Sequence, residues 1–224
     1  HQSEIRLPNA YSLVNPNRFD DNSNLNYLCA AGVTFMFLIS LNKELRLIDW
    51  FKNKGITEPN LIEYLDLVML GTICDVVPLT GLNRAIVKQG LKVLKTKKNL
   101  GLKTLLDICG VESHPSTYHV GYLLGPRINA GGRVGKSSHG ANLLLNNNPK
   151  KIFKIASELD KFNKERQLLE KDVLDKILNN IADVVNDPVL VISGKNFHEG
   201  VIGIVASRLK DKFNKPVIII SIDN

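Results

Sequence analysis

The sequence has few of the residues that build disulfide frameworks or membrane segments. Only three cysteines occur in 224 residues, they are widely spaced, and no Cys-x-x-Cys pair is present. Isolated thiols among apolar residues argue against a disulfide scaffold and predict buried thiols in a reducing compartment. No apolar run is long enough to span a bilayer, and no secretory signal peptide precedes the first predicted helix. We therefore expect a cytoplasmic protein without a membrane partner.

The chain also lacks a concentrated basic tail. Its formal net charge is +7, and the excess of lysine and arginine is spread along the whole sequence. A basic balance of this size suits a polyanionic partner without establishing one. A hydrophobic content of 44% is ordinary for a globular protein with a core of its own. The length is sufficient for one large domain or two small ones.

Most of the chain shows the apolar spacing of amphipathic helices. Gly55 is suited to end the first of these helices, and Pro149 is suited to the first turn of the last. A helix longer than about 25 residues often bridges two domains, although an ordinary bundle helix is the alternative. The predicted helices cover residues 25–54, 60–69, 82–96, 101–109, 116–124 and 149–182.

The last part of the chain changes to a β-α-β pattern. Strand-like residues 189–193 and 217–222 flank a helical segment at 201–213, which predicts a parallel and buried pair of strands. His198 and Glu199 lie between the first strand and the helix, where helix N-terminal amides attract anions. A structural or solvent-facing histidine is the alternative. Because the chain starts at His1 and stops in a strand, we expect it to be a piece of a longer protein.

One carboxylate, Asp75, lies inside the apolar run 70–79. An aspartate in apolar surroundings must be paired, used as a cap or bound to a metal. Gly71 is expected to end the preceding helix and Pro78 to stop the next segment, so Asp75 should lie on an irregular turn at the edge of the core. The alternatives are a cap for the helix after Pro78 or an arginine partner.

Residues 125–136 combine four glycines, two arginines and one lysine. Glycines let backbone amides approach a ligand, and arginine forks match phosphate oxygens. The stretch is therefore expected to break the helical pattern and to form a phosphate-binding loop, although it is not of the Walker type. A glycine-rich connector with solvated arginines is the alternative.

Four blocks in this order resemble the DHH phosphoesterase family. His1 with the Leu7-Pro8 and 14–17 segments resembles the end of an Asp-His-His motif and the residues after it. Residues 71–79 resemble the later aspartate motif, and residues 125–135 and 197–209 resemble two further blocks. The likeness covers nearly the whole chain and is closest to exonucleases specific for single-stranded DNA. The aspartate-rich motif that precedes Asp-His-His and the late Gly-Gly-His motif are absent, and Lys136 stands where relatives often carry an acidic residue.

The resemblance implies a role for several residues. His1 would be the second histidine of the motif, and Asp75 would be a ligand of Mn²⁺ or Mg²⁺. Arg133 would complete the catalytic group by stabilising developing charge, while His1 binds the phosphate or helps to protonate the leaving group. The substrate-binding residues implied on the phosphate site and on the second domain are Arg127, Asn129, Arg133, His198, Ser207 and Arg208.

The fold implied is α/β with two lobes. Residues 1–148 would be the C-terminal part of a helix-rich DHH catalytic domain, residues 149–183 a long connecting helix, and residues 184–224 the start of a smaller β-α-β domain. The function expected is metal-dependent 5′-3′ hydrolysis of single-stranded DNA in repair and recombination, with the missing N-terminal part supplied from upstream or by another chain. The alternatives are a DHH phosphodiesterase for short oligonucleotides or cyclic dinucleotides, and a non-catalytic DNA-binding scaffold.

Overall fold

The computed structural model describes residues 6–112, 114–181 and 185–222, and the chain forms two compact units. The first unit comprises residues 1–125 and the second comprises residues 126–224. The long helix lies within the second unit over its whole length. No described helix is both long and apolar enough to cross a membrane.

The first unit is helical. Its core forms around α3 (Leu65–Cys74), where Leu65, Met69 and Leu70 are buried. Gly90 of α4 (Gly81–Lys95) lets α4 pack closely on α3, because a Cβ atom there would lie 2.4 Å from both the Leu65 carbonyl oxygen and the Met69 Cβ. The helices are α1 (Ala30–Leu47), α2 (Trp50–Lys54), a 3₁₀ turn (Leu61–Tyr64), α3 (Leu65–Cys74), α4 (Gly81–Lys95), α5 (Leu100–Ile108) and a π-helical turn (His119–Leu124).

These positions confirm most of the predicted helices and correct two details. The single helix predicted over 25–54 is two helices, because Asp49 adopts a left-handed conformation with φ +53°. Gly55 ends the second of them with φ +63°, as predicted. Gly71 does not end a helix. It lies inside α3, where the missing Cβ would come within 2.8 Å of the Ala31 side chain, so it serves the packing of α1 on α3.

The second unit contains a long helix and a β-α-β element. Asn148 caps the long helix α8 (Pro149–Asn179) by accepting hydrogen bonds from two backbone amides, and Pro149 occupies the first turn as predicted. Strand β1 (Leu190–Lys195) pairs in parallel with β2 (Val217–Ile222), with Leu190 opposite Val217. The elements are α6 (Gly125–Val134), α7 (His139–Leu145), α8 (Pro149–Asn179), β1 (Leu190–Lys195), α9 (Glu199–Phe213) and β2 (Val217–Ile222).

The core of the second unit lies between α8, α9 and one face of the sheet. Val173 and Ile177 of α8 pack there with Val201, Val205 and Leu209 of α9. Burying apolar side chains of this size contributes about 1.5–3 kcal/mol each. The mixed α/β fold with a small parallel sheet confirms the predicted class at that level.

The glycine-rich stretch is not a loop. Residues Gly125–Val134 form α6, so the prediction of a loop over these residues is wrong, while phosphate binding by this stretch stays a prediction. Glycine weakens a helix by about 1 kcal/mol relative to alanine, which is why the pattern suggested a break. The structure gives the physical reason for its presence. A Cβ at Gly131 would lie 3.1 Å from Leu159, and one at Gly135 would overlap the Phe162 ring, so both glycines let this segment lie close to α8.

Candidate functional site

Asp75 is the first residue beyond the last turn of α3. It caps that helix with φ −84° and ψ 0°, and Val76 follows with φ +54°. The predicted turn is therefore present, and the carboxylate is exposed. Thr80 occupies the N-cap position of α4. Within the described ranges no arginine or lysine pairs with Asp75, so neither structural alternative is realised.

The Asp75 carboxylate contributes to a raised pKa of the neighbouring Cys74 thiol. The pKa of the Cys74 thiol is raised to about 11, first by burial and second by the Asp75 carboxylate. An exposed carboxylate without a cation partner is a suitable hard oxygen ligand for Mn²⁺ or Mg²⁺. Residues 6–112, 114–181 and 185–222 contain no cluster of three or more histidine, cysteine, aspartate or glutamate side chains that would hold a metal. Asp75 thus fits one ligand of such a centre, and His1 lies outside the described residues.

Arg127 is largely committed to packing within the second unit. Its Nε donates to Asp160 Oδ1 at 2.9 Å, and the Arg127 side chain is only 15% exposed. Burial raises the pKa of Asp160, but hydrogen bonds from Lys164 and Arg127 outweigh burial and hold that pKa below its ordinary value. Arg127 therefore fixes α6 to α8, a role that the sequence did not predict.

Asn129 and Arg133 form an open polar face on α6. They are four residues apart, so they lie on one side of the helix, and both are exposed. Gly132 lies beside them, and a Cβ there would meet nothing within 4 Å. Arg133 Nη1 donates to the Gly200 carbonyl at 3.2 Å, which anchors one edge of its guanidinium at the start of α9. This face can receive an anion.

His198 acts as a helix cap. It precedes α9, and its Nδ1 accepts a hydrogen bond from the Gly200 backbone N–H at 3.1 Å. A backbone N–H can only donate, so Nδ1 is the unprotonated nitrogen and Nε2 carries the proton. This arrangement matches the structural alternative for His198 and leaves Nε2–H as its remaining donor.

Arg208 is held by a buried carboxylate that the sequence reasoning missed. Ser207 and Arg208 are exposed on α9, and Arg208 Nε lies 2.5 Å from Glu170 Oε1. Glu170 is 1% exposed, and its Oε2 accepts from Arg166 at 2.6 Å. The signal was in the spacing, because Glu170 precedes the buried Val173 by three residues and therefore falls on the apolar face of α8.

Comparison with known proteins gives consistent matches. A scan against protein-family models finds none that matches. The chain is 37% identical over 219 residues to the single-stranded-DNA-specific exonuclease RecJ of Dickeya dadantii, covering 95% of this chain and 38% of that protein. The RecJ of Escherichia coli is 36% identical over the same shares. The RecJ of Thermus thermophilus is 35% identical over 85% of this chain and 26% of that protein.

Solved structures match as well. The crystal structure of Thermus thermophilus RecJ in complex with Mg²⁺ has a TM-score of 0.67 and 35% identity, over 76% of this chain and 27% of that chain. A crystal structure of exonuclease RecJ bound to manganese has a TM-score of 0.71 and 34% identity, over 85% of this chain and 46% of that chain.

The ordered sequence blocks, the mixed α/β fold and these matches define the class as DHH phosphoesterase. Within that class, the chain belongs to the RecJ family. It spans about two-fifths of the length of the first two curated relatives named above.

Proposed function

We propose that this chain is the central-to-C-terminal part of a cytoplasmic, metal-dependent exonuclease that degrades single-stranded DNA from the 5′ end in repair and recombination. The observation that carries the proposal is the 37% identity over 95% of the chain to a single-stranded-DNA-specific exonuclease. The net charge of +7 is in keeping with a polyanionic substrate.

Asp75 is proposed as a ligand of Mn²⁺ or Mg²⁺. Support comes from its exposed carboxylate at the end of α3 and from RecJ structures that hold these ions. The metal would supply an activated water and neutralise phosphate charge. His1 is proposed to bind the scissile phosphate or to help protonate the leaving oxygen. Because one carboxylate and one histidine do not make a two-metal centre, the chain alone should be almost inactive, with the remaining ligands supplied from upstream or by another chain.

Arg133 and Asn129 are proposed as the main phosphate-binding residues of α6. Both are exposed on one face, and Arg133 keeps guanidinium N–H groups beyond the one that contacts the Gly200 carbonyl. Arg127 receives a smaller share of phosphate binding, because Asp160 already neutralises part of its charge. Charged hydrogen bonds of this kind contribute about 1.5–3 kcal/mol each.

The second domain is proposed to hold the strand away from the catalytic end. In this two-lobed arrangement residues 1–148 belong to the catalytic domain, residues 149–183 connect, and residues 184–224 begin the second domain. His198 Nε2–H, the Ser207 hydroxyl and the outer N–H groups of Arg208 would take phosphates there. The exposure of Arg208 supports this assignment, because its side chain is 60% exposed although its Nε is paired with Glu170 Oε1.

A phosphodiesterase for short oligonucleotides is the second candidate. The observation that favours it is that polar groups of the second domain already interact with other groups of the protein. His198 caps α9, and Glu170 neutralises part of the charge of Arg208. Less unpaired positive charge on that domain would mean a lower affinity for long single strands.

Strand length separates the two candidates. In the longer protein that carries the upstream residues, Arg208→Ala should raise the dissociation constant for long single strands, with little effect on a dinucleotide. The slope of binding with salt should fall by about 0.7 for each phosphate that the variant no longer neutralises. Arg208→Lys, which keeps the charge, is the matched control. Fluorescence anisotropy at several salt concentrations measures both quantities, and unchanged affinity and slope for long strands would favour the short-substrate candidate.

A further inference from the structure

Two tyrosines of the first unit stack on each other at the surface. The rings of Tyr118 and Tyr122 have centroids 5.1 Å apart and an interplanar angle of 28°. Their residues are nevertheless 59% and 70% exposed. One face of each ring is used in the pair, and more than half of each residue's surface remains open to solvent. Pairing between the two rings therefore does not bury this aromatic surface.

The helix that carries the pair is fixed on the end of α3. Tyr118 and Tyr122 flank and occupy the π-helical turn His119–Leu124, a feature that is frequent at functional sites. A Cβ at Gly121 would lie 3.3 Å from Ile73, and one at Gly125 would lie 2.5 Å from the Cys74 sulfur. Ile73 and Cys74 are the two residues before Asp75, so the tyrosines belong to an element that packs directly against the base of the candidate metal ligand.

A hydrogen-bond donor accompanies the stacked rings. The His119 and Tyr118 rings are close to perpendicular, with centroids 5.8 Å apart and an angle of 75°. His119 Nδ1 accepts from the Ser116 backbone N–H at 3.0 Å, so Nε2 carries the ring proton. Among the described residues Nε2–H has no hydrogen-bond partner. The cluster thus offers two exposed aromatic side chains and one N–H donor together.

We propose that Tyr118 and Tyr122 form a stacking platform for the bases of single-stranded nucleic acid, with His119 Nε2–H donating to an acceptor on the same strand. The inference rests on the proposed function and adds a site for the bases to its phosphate contacts. Aromatic side chains stack on any base, because every base has a π-face. Bases inside a duplex are already stacked on one another, so the platform gives preference to single strands without reading sequence.

The test compares two fluorescent single strands of equal length, an oligothymidine strand and one whose central sugars lack bases. Both present the same phosphates, so only base contacts separate them. Binding to the 224-residue chain is measured by anisotropy without divalent metal. Tyr118→Leu and Tyr122→Leu should each weaken binding of oligothymidine by roughly five-fold or more and leave the abasic strand unchanged. Tyr118→Phe and Tyr122→Phe, which keep the aromatic ring, should each bind oligothymidine as tightly as the wild type.

Tyr64→Leu is the matched control, since Tyr64 is an exposed tyrosine of the same unit outside the stacked pair. Circular dichroism of each variant shows whether the helices are kept. Wild-type binding of oligothymidine by both Leu variants would overturn the platform, as would equal loss for the two strands. A wild-type chain that binds the two strands equally refutes the platform but not the proposed function, whereas binding to neither strand contradicts both.

Discussion

Replacing the buried carboxylate of Glu170 should destabilise the second unit. Glu170 is 1% exposed, accepts a hydrogen bond from Arg166 on its own helix and forms an ion pair with Arg208 on α9. Glu170→Gln keeps the shape and removes the negative charge. The Arg166 guanidinium, only 12% exposed, then loses its carboxylate partner and retains its hydrogen bonds to Asn163 Oδ1.

The magnitude follows from the unequal burial of the two arginines. Removing one partner of a buried ion pair costs about 3–5 kcal/mol, because the remaining charge is left desolvated. We take the lower end, about 3 kcal/mol, since the glutamine oxygen still accepts one hydrogen bond. Arg208 adds at most about 1 kcal/mol, because its exposed side chain is screened by water.

Urea unfolding followed by circular dichroism measures this loss, and α8 supplies its own control. Asp172 and Lys176 pair at 2.7 Å with the same spacing of four residues, but both side chains are more than half exposed. Asp172→Asn should therefore cost only about 0.3–0.5 kcal/mol. If Glu170→Gln costs no more than Asp172→Asn, the buried pair is not the strong contact that its burial implies.

Three further predictions concern packing and titration. Gly200→Ala should lower the free energy of unfolding by about 1–3 kcal/mol, because its Cβ would lie 2.4 Å from the Arg133 carbonyl oxygen. Gly203→Ala, on the open side of α9, should raise it by up to about 1 kcal/mol in the same unfolding assay. Burial raises the pKa of Asp66, so its contribution to stability is present at low pH and is lost as the pH rises through that pKa. Asp66→Asn should therefore stabilise the protein near neutral pH and flatten the dependence of stability on pH. Alkylation of Cys74 should be slow near neutral pH and accelerate as pH approaches about 11.

Local patterns in the sequence predicted much of the fold. Apolar spacing located the helices, Gly55 and Pro149 marked an end and a start, and the last segment predicted a parallel β-α-β element. These features depend on residues close together in the chain. They were therefore accessible without knowledge of tertiary contacts.

The features that depend on distant contacts were not predictable in this way. Gly131 and Gly135 suggest a loop when considered alone, but they allow close packing against Leu159 and Phe162 in α8. The commitment of Arg127 to Asp160 has the same origin, since the partner lies on another helix. Local glycine and arginine content therefore indicated a ligand site where packing between helices explains part of the pattern.

Asp75 shows both what the local sequence predicts and what it does not. The sequence placed Asp75 on a turn, and the structure confirms a turn at the end of α3. The apolar residues next to it in the sequence do not enclose the carboxylate, since Val76 and Asp75 are both exposed. Hydrophobic neighbours in sequence do not enclose a side chain at a helix end, where successive residues point in different directions.

The most direct test of the account is Asp75→Asn in the longer protein that carries the residues upstream of His1. Mn²⁺ binding is followed by calorimetry and hydrolysis with a 5′-labelled single strand, with Asp107→Asn as a control at another exposed carboxylate of the first unit. We expect weakened metal binding and turnover lower by orders of magnitude, with an unchanged melting temperature. A lowered melting temperature with near wild-type turnover would show that Asp75 is only a helix cap and would contradict the proposed metal site.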